Sequence, residues 1–220
     1  MFVGHYAAAF AAKAVEPRTP LWVYALGAQL VDIGWAGLVA AGVEHTRVDE
    51  SLPGSPLVLY DMPWTHSLPA AVIWSVAAAL LCIVLLRVSL FASVVIALTV
   101  FSHWFLDFLV HRPDLLLYPG GPKVGLALWN LPVPEQAVEM GLLALTGAWW
   151  VGTRVRLGRT IWPALVFMAL LIGLQILAMF SAPAAGEMTA RTGITDIAVY
   201  LAVTLIAVFV DVRAKRAAIG

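Results

Sequence analysis

Residues 89–114 read SLFASVVIALTVFSHWFLDFLVHRPD. The first half is an apolar run, and the second half keeps that character while carrying His103, Asp107 and His111. Crossing the hydrocarbon core of a bilayer takes about 20 helical residues, and the run 89–110 is long enough. In lipid the backbone must satisfy its own hydrogen bonds, so the run predicts a transmembrane helix. Pro113 stops it, because the residue before a proline disfavours helix. An ionisable side chain inside such a helix is expensive and marks a functional position by default.

Five further stretches have the same character, at about 20–42, 66–86, 134–152, 160–181 and 194–212. Across the 220 residues 62% are hydrophobic and 12% charged, against about 45–50% and about 25% in soluble domains. A soluble domain of this size has no interior large enough for that surplus, and a disordered chain would not carry it. Thirteen basic residues balance thirteen acidic ones, which leaves no surplus to neutralise the phosphates of a nucleic acid. Strand alternation is absent, which argues against a barrel. The expectation is an all-α integral membrane protein with about six transmembrane helices and a short N-terminal re-entrant or interfacial helix. It forms one membrane domain over 1–220, with a metal-site half at about 1–140 and helices at about 141–212 that serve mainly as scaffold. Cys82 is the sole cysteine and lies in an apolar run, so it reads as a packing residue.

Basic residues set the expected orientation. Lys13, Arg18, Arg87, Arg154, Arg156, Arg159, Arg213, Lys215 and Arg216 fall on one side of this layout, and Arg47, Arg112, Lys123 and Arg191 on the other. The positive-inside rule then places both termini in the cytoplasm and the long loops 43–65 and 111–133 outside. The N-terminal segment lacks the basic start of a signal peptide. Residues 2–14 are too few to cross. They either lie on the membrane surface with Lys13 facing water, or dip in and return. In the second case His5, twelve residues before Pro17, and Asp32, twelve after Pro20, meet at one depth, about 18 Å from the turn at about 1.5 Å per residue.

The polar residues gather on the outer side. His103, Asp107 and His111 follow one helix face at i, i+4 and i+8. A metal needs ligands converging from one wall, and imidazole with carboxylate suits zinc, manganese or iron. LYDMPWTHSL, residues 59–68, places Asp61 and His66 around a proline turn at the mouth of the second span, with Thr65 or Ser67 able to cap the helix. Glu135 and Glu139 open the fourth span. His45 sits among charged loop residues and reads as solvated. YPGGPKVGLALWN, residues 118–130, lacks the order of a phosphate-binding loop. Its Lys123, with Arg112, is either an anionic headgroup site or a pair of interfacial charges. The doublet Trp149–Trp150 reads as an interface anchor.

Together these residues resemble a known group. GH near the N-terminus, an Asp in the next helix, THS opening a helix and SH-x3-D later occur in the order seen in the bacterial inner-membrane family of membrane-bound metal-dependent hydrolases, which includes a LexA-regulated member, and FVGHYAAAFAAK, YDMPWTHSL, SHWFLDFLVHRPDL and GLALWN resemble a closer six-span subgroup of it. The likeness runs from Gly4 to about Asn130. It implies a metal role for His5, Asp32, His66, His103 and Asp107. The family often reads PDIDH where this chain reads VDIGW, so Asp32 is retained and the second Asp is not. Asp61 and His111 stand as possible substitutes for that position.

The resulting expectation is a hydrolase of the bacterial cytoplasmic membrane holding one or two divalent ions, zinc first. Its ligands come from His5, Asp32, Asp61, His66, His103, Asp107 and His111, with Glu139 or Asp61 as general base for a metal-activated water. A site in the outer half of the bilayer suits a lipid or other amphiphilic ester or phosphoester. The alternatives are a metal- or proton-handling transporter, and a structural protein stapled by a metal.

Overall fold

The computed structural model describes residues 1–181 and 184–211. A turn of 3₁₀-helix, Val3–His5, leads into α1 (Tyr6–Val15) and, after Pro17 and Pro20, α2 (Leu21–Ala40). A hairpin of β1 (His45–Val48) and β2 (Leu57–Asp61) precedes α3 (Leu68–Leu86) and α4 (Leu90–Val110). A second hairpin, β3 (Leu115–Leu116) and β4 (Lys123–Val124), precedes α5 (Pro132–Arg156). Then come α6 (Trp162–Met179), β5 (Gly186–Glu187) and α7 (Ala190–Val210).

Five of these helices, α2, α3, α4, α6 and α7, are long and apolar enough to cross a membrane. The lipid-facing character is plain on α3 and α6, where Ile73, Leu80, Val84, Val166 and Leu177 are exposed. The sixth expected span corresponds to α5. It is less apolar because Glu135, Glu139, Arg154 and Arg156 lie on it. Its course follows from the sheet. β5, between α6 and α7, pairs with β1, between α2 and α3. Both connections are therefore at one end of the bundle, the hairpin end. An even number of passes separates them, and α5 must run the length of the bundle to complete it.

Local signals set the helix starts. Ser67 and Ser89 accept hydrogen bonds from Ala70 N and Ala92 N as N-caps of α3 and α4. Of the two capping candidates for α3, Ser67 takes the role and leaves Thr65 free for another. Arg87 ends α3 with φ 54° in the tight turn to α4. Thr189 and Thr192 close a capping box on α7.

α1 is re-entrant. It packs inside the bundle with Tyr6, Ala7, Ala9, Phe10, Ala12, Lys13 and Ala14 buried. The surface alternative fails on Lys13, which is 2% exposed. Its Nζ donates to Thr19 O at 2.6 Å and Pro17 O at 3.2 Å, and pairs with Asp211 at 2.8 Å. Arg154 is likewise buried, donating to Thr160 O at 2.8 Å and Val210 O at 3.4 Å. Two of the charges counted for orientation are thus packing elements, and Arg213, Lys215 and Arg216 lie outside the described residues. The tryptophan doublet also divides. Trp149 is exposed, whereas Trp150 is buried and stacks on Phe10 at 4.9 Å. Arg112 and Lys123 tie loops together. The Arg112 guanidinium donates to Asn130 Oδ1 and to the carbonyls of Pro53, Ser55 and Leu57, and Lys123 to Tyr60 O.

Candidate metal centre

Four segments bring polar side chains to one point. The 3₁₀ turn supplies His5, α2 supplies Asp32, the lead into α3 supplies His66, and α4 supplies His103, Asp107 and His111. His103 Nε2 lies 3.2 Å from both Asp32 Oδ1 and Asp107 Oδ2. His66 Nε2 lies 3.4 Å from Asp32 Oδ1 and 3.5 Å from Asp107 Oδ2. His5 Nε2 lies 3.2 Å from Asp107 Oδ1, and its ring stacks on His103 at 3.7 Å. His111 Nε2 and the Met1 amino group reach the same oxygen at 3.4 and 2.9 Å. His5, His103 and Asp107 form one triad with ligand atoms within 4.8 Å of one another, and Asp32, His66 and His103 form another. His103 belongs to both.

The imidazole hydrogens can be assigned from their partners. His103 Nδ1 lies 2.8 Å from the Ala28 carbonyl, which only accepts, so Nδ1 carries the hydrogen. Thr65 Oγ1 gives its hydrogen to Glu44 Oε2 at 2.6 Å and accepts from His66 Nδ1 at 2.8 Å. Asp114 Oδ1 accepts from His111 Nδ1 at 3.0 Å. With Nδ1 committed in this way, each ring presents Nε2 to a carboxylate oxygen. Two such atoms face each other without repulsion when a proton or a metal cation stands between them. His103 Nε2, both nitrogens of His5 and Asp107 Oδ2 are buried and have no well-aligned hydrogen-bond partner, a state that folded proteins rarely tolerate. A histidine held at one nitrogen and aimed with the other is the usual second-shell arrangement of a metal ligand. The donor set of imidazole and carboxylate fits zinc, manganese or iron.

The fit has backbone support. Phe2 N and Gly4 N both donate to Glu139 Oε1, at 2.8 and 2.7 Å. That carboxylate, reaching across from α5, fixes the turn that presents His5. Gly4 is required there. A Cβ would stand 2.6 Å from Met1 Sδ and 2.9 Å from Glu139 Cγ.

One expected ligand is placed elsewhere. Asp61 stays on the hairpin, half-exposed, paired with His45 at 3.0 Å. The turn after it buries Met62 and sends His66 inward, so the two flanks of the proline face opposite ways. Glu139 is buried beside the site, but Phe2, Gly4 and Gln175 occupy its oxygens. Through these bonds it positions the turn that carries His5. His111 reaches Asp107 and packs on Trp129 at 3.9 Å, yet belongs to neither triad.

Other contributors carried little signal in the sequence. Glu44 looked like one more acid in a charged loop, yet it is buried and accepts from Trp64 N, Thr65 N and Thr65 Oγ1. Gln29 and Gln175 are mid-span amides, and such amides are costly enough in lipid to have been a cue. Asp196 and Tyr200, on α7, lie within electrostatic reach of Asp32.

No curated protein and no solved structure matches the chain. The model of a family described as YdjM inner membrane protein matches residues 1–182, a range that holds every residue of the two triads and ends before α7. With most of its length so matched, and with helices suited to a bilayer, the chain belongs to the YdjM inner membrane protein family.

Proposed function

We propose that the protein is a membrane-bound metal-dependent hydrolase acting on a lipid or other amphiphilic ester or phosphoester. The observation that carries the metal part is His103. Its Nδ1 is committed to the Ala28 carbonyl, while its Nε2 faces Asp32 and Asp107 at 3.2 Å each. In this reading His5, Asp32, His66, His103 and Asp107 hold the ion, zinc first. Thr65, Glu44 and Asp114 orient the imidazoles, and Glu139 fixes the His5 turn. A divalent ion bound there supplies Lewis acidity towards an acyl or phosphoryl oxygen. The chain's own residues hold that chemistry in a buried, water-poor place within the bundle, where electrostatic contacts count for more than in water.

The substrate class is inferred from position. Asp32 lies eight residues from the hairpin end of α2, about 12 Å at about 1.5 Å per residue. A polar headgroup at the membrane surface can reach that depth while its tail stays in lipid. The charge distribution favours a hairpin end facing outward and cytoplasmic termini.

A second reading follows from the same geometry. The cluster joins the 3₁₀ turn, α2, the start of α3 and α4, so a metal there would also staple the bundle. Elemental mass spectrometry of purified protein separates these readings when combined with a chelator-controlled assay on fluorescent phospholipids. Stoichiometric metal with chelator-sensitive turnover supports the hydrolase. Metal without turnover on a broad lipid panel leaves the staple, and no metal at neutral pH overturns both.

A further inference from the structure

The cluster is closed on nearly every side. Side-chain exposure is 1% for His5 and Asp107, 0% for His103, 3% for His66 and 4% for His111, whereas Asp32 is 11% exposed. Among the described side chains of the cluster, Asp32 is the most exposed. The helix packed against α2 there is α7. Gly193 of α7 sits on the Ala36 carbonyl, and Ile197 lies against Gly37. Asp196 and Tyr200 lie beside these contact positions.

Asp196 is half-buried within a membrane helix and within electrostatic reach of Asp32, and among the described residues no hydrogen bond offsets its burial. It lies six residues from the hairpin end of α7, about 9 Å in, against about 12 Å for Asp32. Asp196 therefore stands between the membrane surface and the cluster. The ionisable neighbours of Tyr200 are Asp32, Asp196, Tyr6 and Asp107. Tyr6 and Gln29 are side chains fully removed from solvent, and among the described residues Tyr6 Oη and Gln29 Oε1 have no well-aligned hydrogen-bond partner. Gln29 precedes Asp32 by one turn of α2. A carboxylate in this setting calls for a cation, and orphaned oxygens call for water or another donor.

We propose that the flank of the α2–α7 contact is the entrance by which a hydrated divalent cation reaches the cluster, with Asp196 as the first carboxylate it meets on the way to Asp32, and with Tyr200 and Gln29, which lie deeper than Asp32, as a polar floor. This rests on the metal reading and extends it to a helix beyond the range matched by the family. Asp196 acts here on the rate of arrival. The ion's final ligands remain Asp32, Asp107 and the histidines.

The test is zinc uptake by metal-stripped protein in nanodiscs, followed by stopped flow with a fluorescent zinc chelator. Asp196→Asn is expected to load about tenfold more slowly, in keeping with the loss of local charge steering, to the same final stoichiometry. Asp196→Glu should restore most of the rate. In a Cys82→Ser background, Asp196→Cys should react with a membrane-impermeant thiol reagent, and the modified protein should load slowly. Leu205→Cys, on the exposed face of α7, should not react. Unchanged loading by Asp196→Asn overturns the entrance while leaving the metal site intact. A lost plateau also overturns it, since Asp196 would then be a ligand. If the parent protein takes up no zinc, the metal reading itself falls.

Discussion

Because His103 belongs to both triads, removing it leaves each with two ligands, His5 with Asp107 and Asp32 with His66. His103→Gln keeps a polar side chain at the position and should abolish the metal response of the whole cluster. A ligand that binds only the folded state stabilises by about 2.7 kcal/mol at a concentration one hundred times its Kd. For a chain of this size about 1 kcal/mol moves Tm by about 2–4 °C. Zinc at that concentration should therefore raise the melting temperature of the parent by about 5–11 °C. Loss of even an outer-shell partner weakens metal binding about 10–100-fold, and a shared direct ligand should cost at least the upper figure. At the same zinc concentration the variant sits near its own Kd, where the gain is about 0.4 kcal/mol, or about 1 °C. The assay is a thermal melt of metal-stripped protein in detergent, with and without zinc, read by tryptophan fluorescence. A parent that shows no zinc-dependent shift, or a His103→Gln variant that keeps it, refutes the reasoning.

Thr65→Val removes the acceptor that fixes the His66 tautomer, and zinc affinity measured by competition with a chelator should fall about 10–100-fold with the fold retained. Gly4→Ala forces a Cβ into Met1 and Glu139, so it should cost about 1–3 kcal/mol, visible as a lower Tm in metal-stripped protein. Lys13→Met removes the 2.8 Å partner of Asp211, which keeps Leu21 N at 2.6 Å and Arg154 at 3.7 Å, and should cost about 1–3 kcal/mol in the same melt.

The polar face of α4 was legible because a helix period places i, i+4 and i+8 together whatever surrounds them. The depth match of His5 and Asp32 was legible for a similar reason, since both are counted from the same proline turn. Directions out of irregular segments were not. Asp61 stands closer in sequence to His66 than Glu44 does, yet the turn at Met62–Pro63 faces Asp61 outward, and Glu44 arrives from the preceding loop to hold Thr65. Lys13 looked like a topology charge because a linear count cannot show that α7 returns a carboxylate to it. The Trp149–Trp150 doublet could not serve as one anchor, since adjacent helical residues point about 100° apart. Asp196 is a single acid in an otherwise bland span, and only the antiparallel packing of α7 on α2 brings it within electrostatic reach of Asp32.

The re-entrant course of α1 has a consequence for the order of assembly in time. His5 is made well before Glu139, whose carboxylate fixes its turn, and Lys13 well before its partner Asp211. At about 5–20 residues per second His5 waits on the order of ten seconds or more for the helix that orients it. The last helix, which closes over Lys13, comes later still. Until then α1 has α2, made directly after it, as a packing partner, and Lys13 has the carbonyls of Pro17 and Thr19. The turn that presents His5 therefore takes its final form only after α5 has been made, and the ion pair of Lys13 only after α7.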